Sequence, residues 1–247
     1  MKHKTVTLFS LPFATMTHTE ASREIERALG EPKPTLVFTP NATILRQATR
    51  NPSLLRMLKQ ADLLLPDGMS VVMLSRILKR PIKERLPGIE MGEEALAIAA
   101  KTGARVYLLG GKAGVAEKAA ERLKNRFSGL NICGVCHGYF TKEEEAATVE
   151  RIQRAKPQVL LVCMGFPRQE AFLLRVRDRI PTLRLGMGLG GSLDVWSGTK
   201  KRAPKIMGAV GLEWLWRAMR EPRRFSVLWD TAVLLRYAIK ASNRQKN

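Results

Sequence analysis

The sequence predicts an α/β fold: a doubly wound, Rossmann-like, mostly parallel sheet with a basic helical appendage at the C-terminus. Two observations support this. Short apolar runs alternate with helical patterns up to about Gly191, as in doubly wound domains. From residue 196 onward the patterns are helical only. This segment contains 12 basic and 3 acidic residues, a net charge of +9. We therefore divide the chain into an α/β core, residues 1–195, and a basic appendage, residues 196–247.

The predicted elements alternate regularly along the core. Strands are expected at residues 5–9, 36–38, 63–65, 106–109, 131–136, 159–164 and 183–185. Helices are expected at residues 19–29, 69–78, 90–101, 113–127 and 141–155, over about twenty residues after Asn41, and after Glu170. Each strand is a short apolar run, and each helix has apolar residues at helical spacing.

The overall charge predicts an anionic partner. The 247 residues include 42 basic and 22 acidic residues, a net charge of +20. Such an excess indicates nucleic acid, an anionic membrane face or phosphorylated substrates. An odd number of cysteines, three, favours a reducing cytoplasm over a disulfide framework. No run approaches the roughly 18 apolar residues of a membrane span, and polar residues interrupt the apolar start, which favours a strand over a signal peptide.

Three polar residues follow two neighbouring strands of the core. Thr39 and Asn41 come after the strand at 36–38, and Asp67 follows the strand at 63–65. A β-α-β unit makes these strands parallel, so all three side chains reach the sheet edge where open α/β sheets bind ligands. Simpler roles exist as well: Asn41 could be a helix N-cap and Pro-Asp-Gly a plain turn. Together the three predict a site.

Two motifs suggest cofactors. Gly186, Gly188 and Gly191 match the G-x-G-x-x-G spacing, but no β-α-β unit with a ribose-binding acid follows, which argues against a dinucleotide. A glycine loop close to a phosphate or base remains an alternative. Cys133 to His137 match the C-x-x-C-H haem pattern, but haem attachment needs export and the motif overlaps a strand. We expect ordinary buried cysteines there.

The remaining residues limit the chemistry further. Three histidines, two near the terminus, argue against a His-based triad. The sequence has no D-x-D pair to hold a divalent ion against a diphosphate. Arginine and backbone N–H groups would then supply the positive potential for phosphates. We expect neither a metal nor a cofactor.

The motifs together resemble the WecG/TagA/CpsF glycosyltransferases, bacterial N-acetylmannosaminyltransferases and their relatives. The likeness covers nearly the whole chain with the pieces in family order. One departure is Glu90, where the family more often has Asp. The matching pieces are residues 11–13, 39–42, 66–68, 85–88, 109–111, 165–170, 186–198, 201–204 and 211–214.

The resemblance implies a metal-independent, inverting transfer of N-acetylmannosamine, or a related sugar, from a UDP-sugar. The implied acceptor is N-acetylglucosamine on a polyprenyl diphosphate. The product would be a linkage unit for teichoic acid or another surface polymer. The protein would be cytoplasmic and peripheral on the inner, anionic face of the cell membrane. Homo-oligomerisation, the exact sugar and the polymer stay open.

Residue roles follow from the same resemblance. Asp67 is the expected base and Arg85 the group that stabilises the departing UDP. Thr39, Asn41 and Gln169 would orient the donor sugar, and Asp194 with its preceding glycine loop would hold the uridine. The full set of expected substrate-binding residues is Thr39, Asn41, Gly110, Gly111, Gln169, Glu170, Gly190 and Asp194. The residues expected to grip the lipid diphosphate and the membrane are Arg217, Arg220, Arg223 and Arg224.

Two other classes of protein compete with this interpretation. A basic nucleic-acid-binding α/β protein would explain the charge, but the sequence has no recognition-helix motif or aromatic-basic platform, and we expect no nucleic acid partner. An NAD-dependent oxidoreductase depends on the glycine spacing alone. The appendage also has two interpretations: a helix docked on the core with a solvated basic side, or an element that meets a membrane or an anionic group.

Overall fold

The structure is a computed structural model that describes residues 3–201 and 226–244. Its strands are β1 (Thr5–Leu8), β2 (Leu11–Ala14), β3 (Thr35–Phe38), β4 (Leu63–Leu64), β5 (Val106–Gly110), β6 (Ile132–Cys136), β7 (Val159–Cys163) and β8 (Leu185–Gly188). Its helices are α1 (His18–Gly30), α2 (Ala42–Arg50), α3 (Pro52–Leu58), α4 (Met69–Ile77), α5 (Gly88–Thr102), α6 (Val115–Arg126), α7 (Lys142–Ala155), α8 (Arg168–Val176), α9 (Ser192–Trp196) and α10 (Ser226–Arg244).

The main sheet has six parallel strands in the order β4-β3-β8-β7-β5-β6. The central strands are buried on both faces, as expected for a parallel sheet covered by helices. One face packs against α1, α5, α6 and α9, and the other against the remaining helices and the β1–β2 hairpin. The predicted doubly wound α/β core is therefore confirmed.

Local signals explain where the helices begin. Thr17 and Glu20 form a capping box at the start of α1, and Thr141 and Glu144 form another at α7. In each box the threonine hydroxyl and the glutamate carboxylate accept orphan N–H groups of the first turn. Thus α1 and α7 begin within about one residue of the sequence prediction.

Three local predictions are wrong. Strand β1 pairs with an unpredicted strand, β2, in a separate antiparallel hairpin, because Phe9 and Ser10 adopt positive φ without the usual glycine signal. The single helix expected after Asn41 is two helices, since Asn51 caps a new helix with Pro52 in its first turn. The last strand runs from Leu185 to Gly188, so two of the expected loop glycines lie within it.

Helix α10 is docked on the core. Leu234 and Ala238 are fully buried in its contact with the helices on that face. The Arg46 Nε atom on α2 lies 3.0 Å from the Asp230 Oδ1 atom, and both side chains are nearly buried. This agrees with the docked-helix interpretation for residues 226–244. Among the described helices, none has a stretch long and apolar enough to cross a bilayer.

The buried ion pair predicts a large asymmetry between single and double variants. Asp230→Ala leaves the Arg46 guanidinium desolvated without its partner, and the expected loss of unfolding free energy is about 3 kcal/mol. Arg46→Met combined with Asp230→Leu removes both charges and should cost less than the single change. Urea denaturation measures both values. A single variant as stable as the parent would contradict the buried pair.

Candidate active site

The carboxyl edge of the sheet beside β3, β8 and β7 is where the topology predicts a crevice for a ligand. The chain leaves β3 and β7 toward α2 and α8 on one face, and it leaves β8 toward α9 on the other. Loops that diverge in this way leave room between them, and ligands bind at such switch points. The residues predicted from the sequence can be located on this edge.

Asp67 lies in the loop after β4 and is half-buried. Its Oδ1 atom accepts a 2.9 Å hydrogen bond from Gly88 N, the first residue of α5. The carboxylate thus lies at the positive end of a 15-residue helix, which favours its negative charge. Leu86 N donates to Pro66 O at 2.9 Å. These two bonds hold the loop that carries Arg85 against the loop that carries Asp67.

Thr39 links this first group to β8. Its side-chain hydroxyl group donates to Gly188 O at 3.2 Å. A β-carbon on Gly88 would lie 2.6 Å from the same oxygen, so the start of α5 packs directly on Thr39. Since the hydroxyl has one proton, which it gives to Gly188, any ligand contact of Thr39 must use its lone pairs as acceptors.

Asn41 is the N-cap of α2, as the simpler interpretation proposed. Its Oδ1 atom accepts from Ile44 N at 3.1 Å. A β-carbon on Gly68 would lie 3.7 Å from Asn41 Cβ, which places Asn41 beside the loop of Asp67. Thr39, Asn41 and Asp67 therefore lie together, in agreement with the β-α-β argument.

Gln169, near the start of α8, joins the loops after β7 and β8. It is 3% exposed. Its Oε1 atom accepts from Gly165 N at 3.2 Å and from Gly190 N at 2.9 Å. Its Nε2 atom donates to Glu170 Oε1 at 2.9 Å. The amide thus fastens two glycine loops of the crevice to each other.

Glu170 is more deeply buried than the sequence suggested for a substrate-binding residue. It is 1% exposed, and its Oε2 atom has no hydrogen-bond partner among the described residues. Burial raises the pKa of its carboxyl to about 7, although the hydrogen bond from Gln169 acts in the opposite direction. A buried, singly paired carboxylate of this kind is costly when ionised.

The expected uridine-binding residues lie around the Gly190 loop, which Gln169 binds. Asp194 on α9 is partly exposed, and its Oδ2 atom lies 3.6 Å from Lys200 Nζ. The same oxygen would be 3.8 Å from a β-carbon on Gly191, so Asp194 lies beside the loop of Gly190. Gly111 N donates to Cys163 O at 3.2 Å, which holds the Gly110–Gly111 turn against the end of β7.

Other expected residues fall outside this edge or outside the described chain. Arg217, Arg220, Arg223 and Arg224 belong to residues 202–225 and lie outside the described residues. The three cysteines are free thiols, and burial raises the pKa of each. Across residues 3–201 and 226–244 no three His, Cys, Asp or Glu side chains form a group that could hold a metal ion.

Two glycines contribute to the site in a way that the sequence analysis missed. Gly88 supplies the N–H that binds Asp67, and Gly188 supplies the carbonyl that binds Thr39. A β-carbon on Gly188 would lie 2.9 Å from Gln169 Nε2. The period-two spacing of Gly186 and Gly188 is typical of a strand with no side chains on one of its faces. The sequence analysis assigns these glycines to a ligand-binding loop instead.

The fold and this edge define a doubly wound α/β protein in which Asp67, Thr39 and Gln169 are linked along one edge of the sheet through Gly88 and Gly188. Because Gly186 and Gly188 lie inside β8, they do not form the tight turn that a dinucleotide fingerprint requires. The NAD-dependent interpretation therefore loses its one supporting feature.

Comparisons with known proteins give the family. The model of the Glycosyl transferase WecG/TagA/CpsF family matches residues 6–247. Proteins called N-acetylglucosaminyldiphosphoundecaprenol N-acetyl-beta-D-mannosaminyltransferase in Staphylococcus aureus strains MRSA252, MW2 and NCTC 8325 / PS 47 are each 35% identical over 210 residues, which is 85% of this chain and 82% of theirs. The chain belongs to the WecG/TagA/CpsF glycosyltransferase family. This supports the transferase interpretation over the nucleic-acid-binding one.

The buried Glu170 predicts a pH-dependent gain in stability for Glu170→Gln. The folded-state pKa, about 7, lies above the ordinary glutamate pKa of 4.5. The parent therefore loses stability as pH rises between these values, by about 3 kcal/mol in total at about 1.4 kcal/mol per unit. Relative to the parent, the variant should gain stability across this range and level off above it. Urea denaturation at pH 4.5, 6 and 8 measures the difference, and a constant difference would contradict the assignment.

Proposed function

We propose that this protein transfers N-acetylmannosamine, or a closely related sugar, from a UDP-sugar to N-acetylglucosamine on a polyprenyl diphosphate. The observation that carries the proposal is the contact path from Asp67 through Gly88, Thr39 and Gly188 to Gln169, in a chain of this family. The path runs along the ends of four strands, β4, β3, β8 and β7, and joins a carboxylate to the residues proposed to bind the sugar. The names of the curated relatives support the substrates.

Asp67 acts as the base in this proposal. An inverting transfer needs a carboxylate that takes the proton from the acceptor hydroxyl while the hydroxyl oxygen attacks the anomeric carbon. The bond from that carbon to the UDP oxygen breaks, and its electron pair leaves with UDP. The Gly88 N–H and the start of α5 hold Asp67 at the crevice, so the base is fixed before the substrates arrive.

Arg85 and the donor-binding residues complete the proposed site. The departing UDP gains negative charge, which a preorganised guanidinium stabilises, and the Leu86–Pro66 bond holds the Arg85 loop beside Asp67. Thr39 accepts from a sugar hydroxyl or acetamido N–H, and the Asn41 NH₂ group donates. Asp194 and the Gly190 loop bind the uridine. The turn at Gly110 and Gly111 supports the side of the proposed site next to the end of β7.

The acceptor places the reaction at a membrane surface. A polyprenyl chain stays in the bilayer, so we propose that the protein is cytoplasmic and peripheral on the inner face of the membrane. The appendage carries +9 of the total charge of +20, which suits an anionic surface and a lipid diphosphate. The whole reaction would proceed without a metal ion.

A single assay tests the function. The purified protein is incubated with UDP-N-acetylmannosamine and a short-chain lipid-linked N-acetylglucosamine, with and without a chelator, and UDP release is followed. Release that needs both substrates and continues in the chelator supports the proposal. Absence of UDP release would overturn the proposed transfer. Strict dependence on added magnesium or manganese would overturn the proposal that the reaction needs no metal ion.

Asp67→Asn should remove most of the turnover. The amide keeps an oxygen that can accept from Gly88 N but cannot take a proton, and a general base contributes about 100-fold or more. Binding of the donor, measured by calorimetry, should be largely retained. Glu84→Gln, which neutralises an exposed carboxylate bound to His18 N, is the control. Near-parental turnover in Asp67→Asn would place the base elsewhere.

Replacing four of the appendage arginines, Arg217, Arg220, Arg223 and Arg224, with alanine should weaken binding to anionic vesicles. Each basic residue at such a surface contributes about 1 kcal/mol. This variant is preferable to truncation, because removing α10 would expose the apolar surface now covered by Leu234 and Ala238. Vesicle sedimentation gives the readout. The control removes the same charge from exposed positions of the core, Lys59, Lys118, Lys124 and Lys142. Equal losses in both variants would contradict a specific role for the appendage.

A further inference from the structure

Glu170 is retained at a cost to stability. It is almost fully buried, one of its oxygens has no partner in the described part of the chain, and its pKa is raised to about 7. A glutamine would fill the same space without the cost of burying a charge. Natural proteins keep such groups where function requires them, so the contacts of Glu170 are informative.

We propose that Glu170 is a positioning residue that acts through Gln169 rather than on the substrate. It fixes the Gln169 amide, and the amide in turn fixes the two glycine loops that border the donor site. The proposal rests on the proposed function for its effect on catalysis, but its structural part concerns the free protein alone.

The chemistry of the contacts dictates the orientation of the amide. Gly165 N–H and Gly190 N–H can only donate, so the atom of Gln169 that meets both must be the oxygen. The NH₂ group then faces Glu170, whose Oε1 atom accepts from it. The pair therefore has one hydrogen-bonding arrangement. An apolar residue at 170 would leave a buried NH₂ group without this acceptor.

The amide is coupled to the rest of the site through Gly188. The space where a β-carbon of Gly188 would lie is filled by Gln169, with Nε2 at 2.9 Å and Glu170 Oε1 at 3.3 Å. The carbonyl of Gly188 accepts from Thr39. A displaced Gln169 would therefore change both the Gly190 loop and the strand that holds Thr39.

The Glu170 carboxylate reaches none of the other predicted site residues by a hydrogen bond among the described residues. Its described partner is the Gln169 amide. Since only 1% of Glu170 and 3% of Gln169 are exposed, a substrate at this edge would meet the partly exposed Gly165 and Gly190 loops before either side chain. This placement is typical of a residue behind the binding surface.

Glu170→Leu and Glu170→Gln test whether the two glycine loops depend on the acceptor oxygen at position 170. Leucine removes the acceptor, so hydrogen–deuterium exchange at Gly165 and Gly190 should become about tenfold faster, the equivalent of 1.4 kcal/mol. Glutamine keeps an acceptor oxygen and should limit the increase to about threefold. Exchange in β5, far from the pair, serves as the internal reference. Unchanged exchange at both loops in Glu170→Leu would overturn the proposal.

A second pair of variants moves the amide without touching residue 170. Gly188→Ala should drive the Gln169 side chain from its place and speed exchange at the two loops. Gly186→Ala is the matched control, because its methyl group meets Leu36 and Leu173 in the core instead. Equal effects of the two alanines on the loops would overturn the proposal.

A double-mutant cycle connects the pair to catalysis. If Glu170 acts through Gln169, Glu170→Leu should raise the KM for the donor about tenfold in the parent and have little further effect in Gln169→Ala. Full additivity would show that Glu170 acts independently and would overturn the proposal. The exchange experiments need no substrate, so an inactive parent protein would count against the proposed function and leave this test intact.

Discussion

Strand β8 can lie between β3 and β7 only because Gly186 and Gly188 have no side chains on the face that carries α8. Leu36 and Leu173 fill the space beside Gly186, and Gln169 fills the space beside Gly188. The first contact closes the core, and the second brings a polar amide to the sheet edge. The site depends on this one bare strand face, because it brings α8 close enough for Gln169 to reach the loops after β7 and β8.

The site is built mainly from backbone groups held by a few side chains. Thr39 binds the Gly188 carbonyl, Asp67 binds the Gly88 N–H, and Gln169 binds two more N–H groups. Apart from the bond between Gly165 and Gln169, these bonds join residues at least 21 positions apart, so the site is preorganised by the packing of the sheet. Preorganised polar groups need little rearrangement when charge develops in a transition state.

The sequence predicted the doubly wound core and the meeting of Thr39, Asn41 and Asp67, because strand alternation and β-α-β topology determine both. It did not predict the β1–β2 hairpin, since a turn made by Phe9 and Ser10 gives no glycine signal. The sequence analysis is also wrong in placing Gly186 and Gly188 in a loop, because both lie within β8. Their spacing is compatible with a loop or a bare strand face, and only the packing of Leu36, Leu173 and Gln169 decides between them. The deep burial of Glu170 could not be predicted either, because it depends on packing contacts that a sequence pattern does not contain.

The attachment of α10 has a further consequence for the edge of the sheet. Asp230 on α10 is paired with Arg46 on α2, and α2 begins immediately after Asn41. The position of Asn41 therefore depends on the C-terminal helix as well as on the strand before it. A change that loosens α10 would be transmitted to this edge through α2.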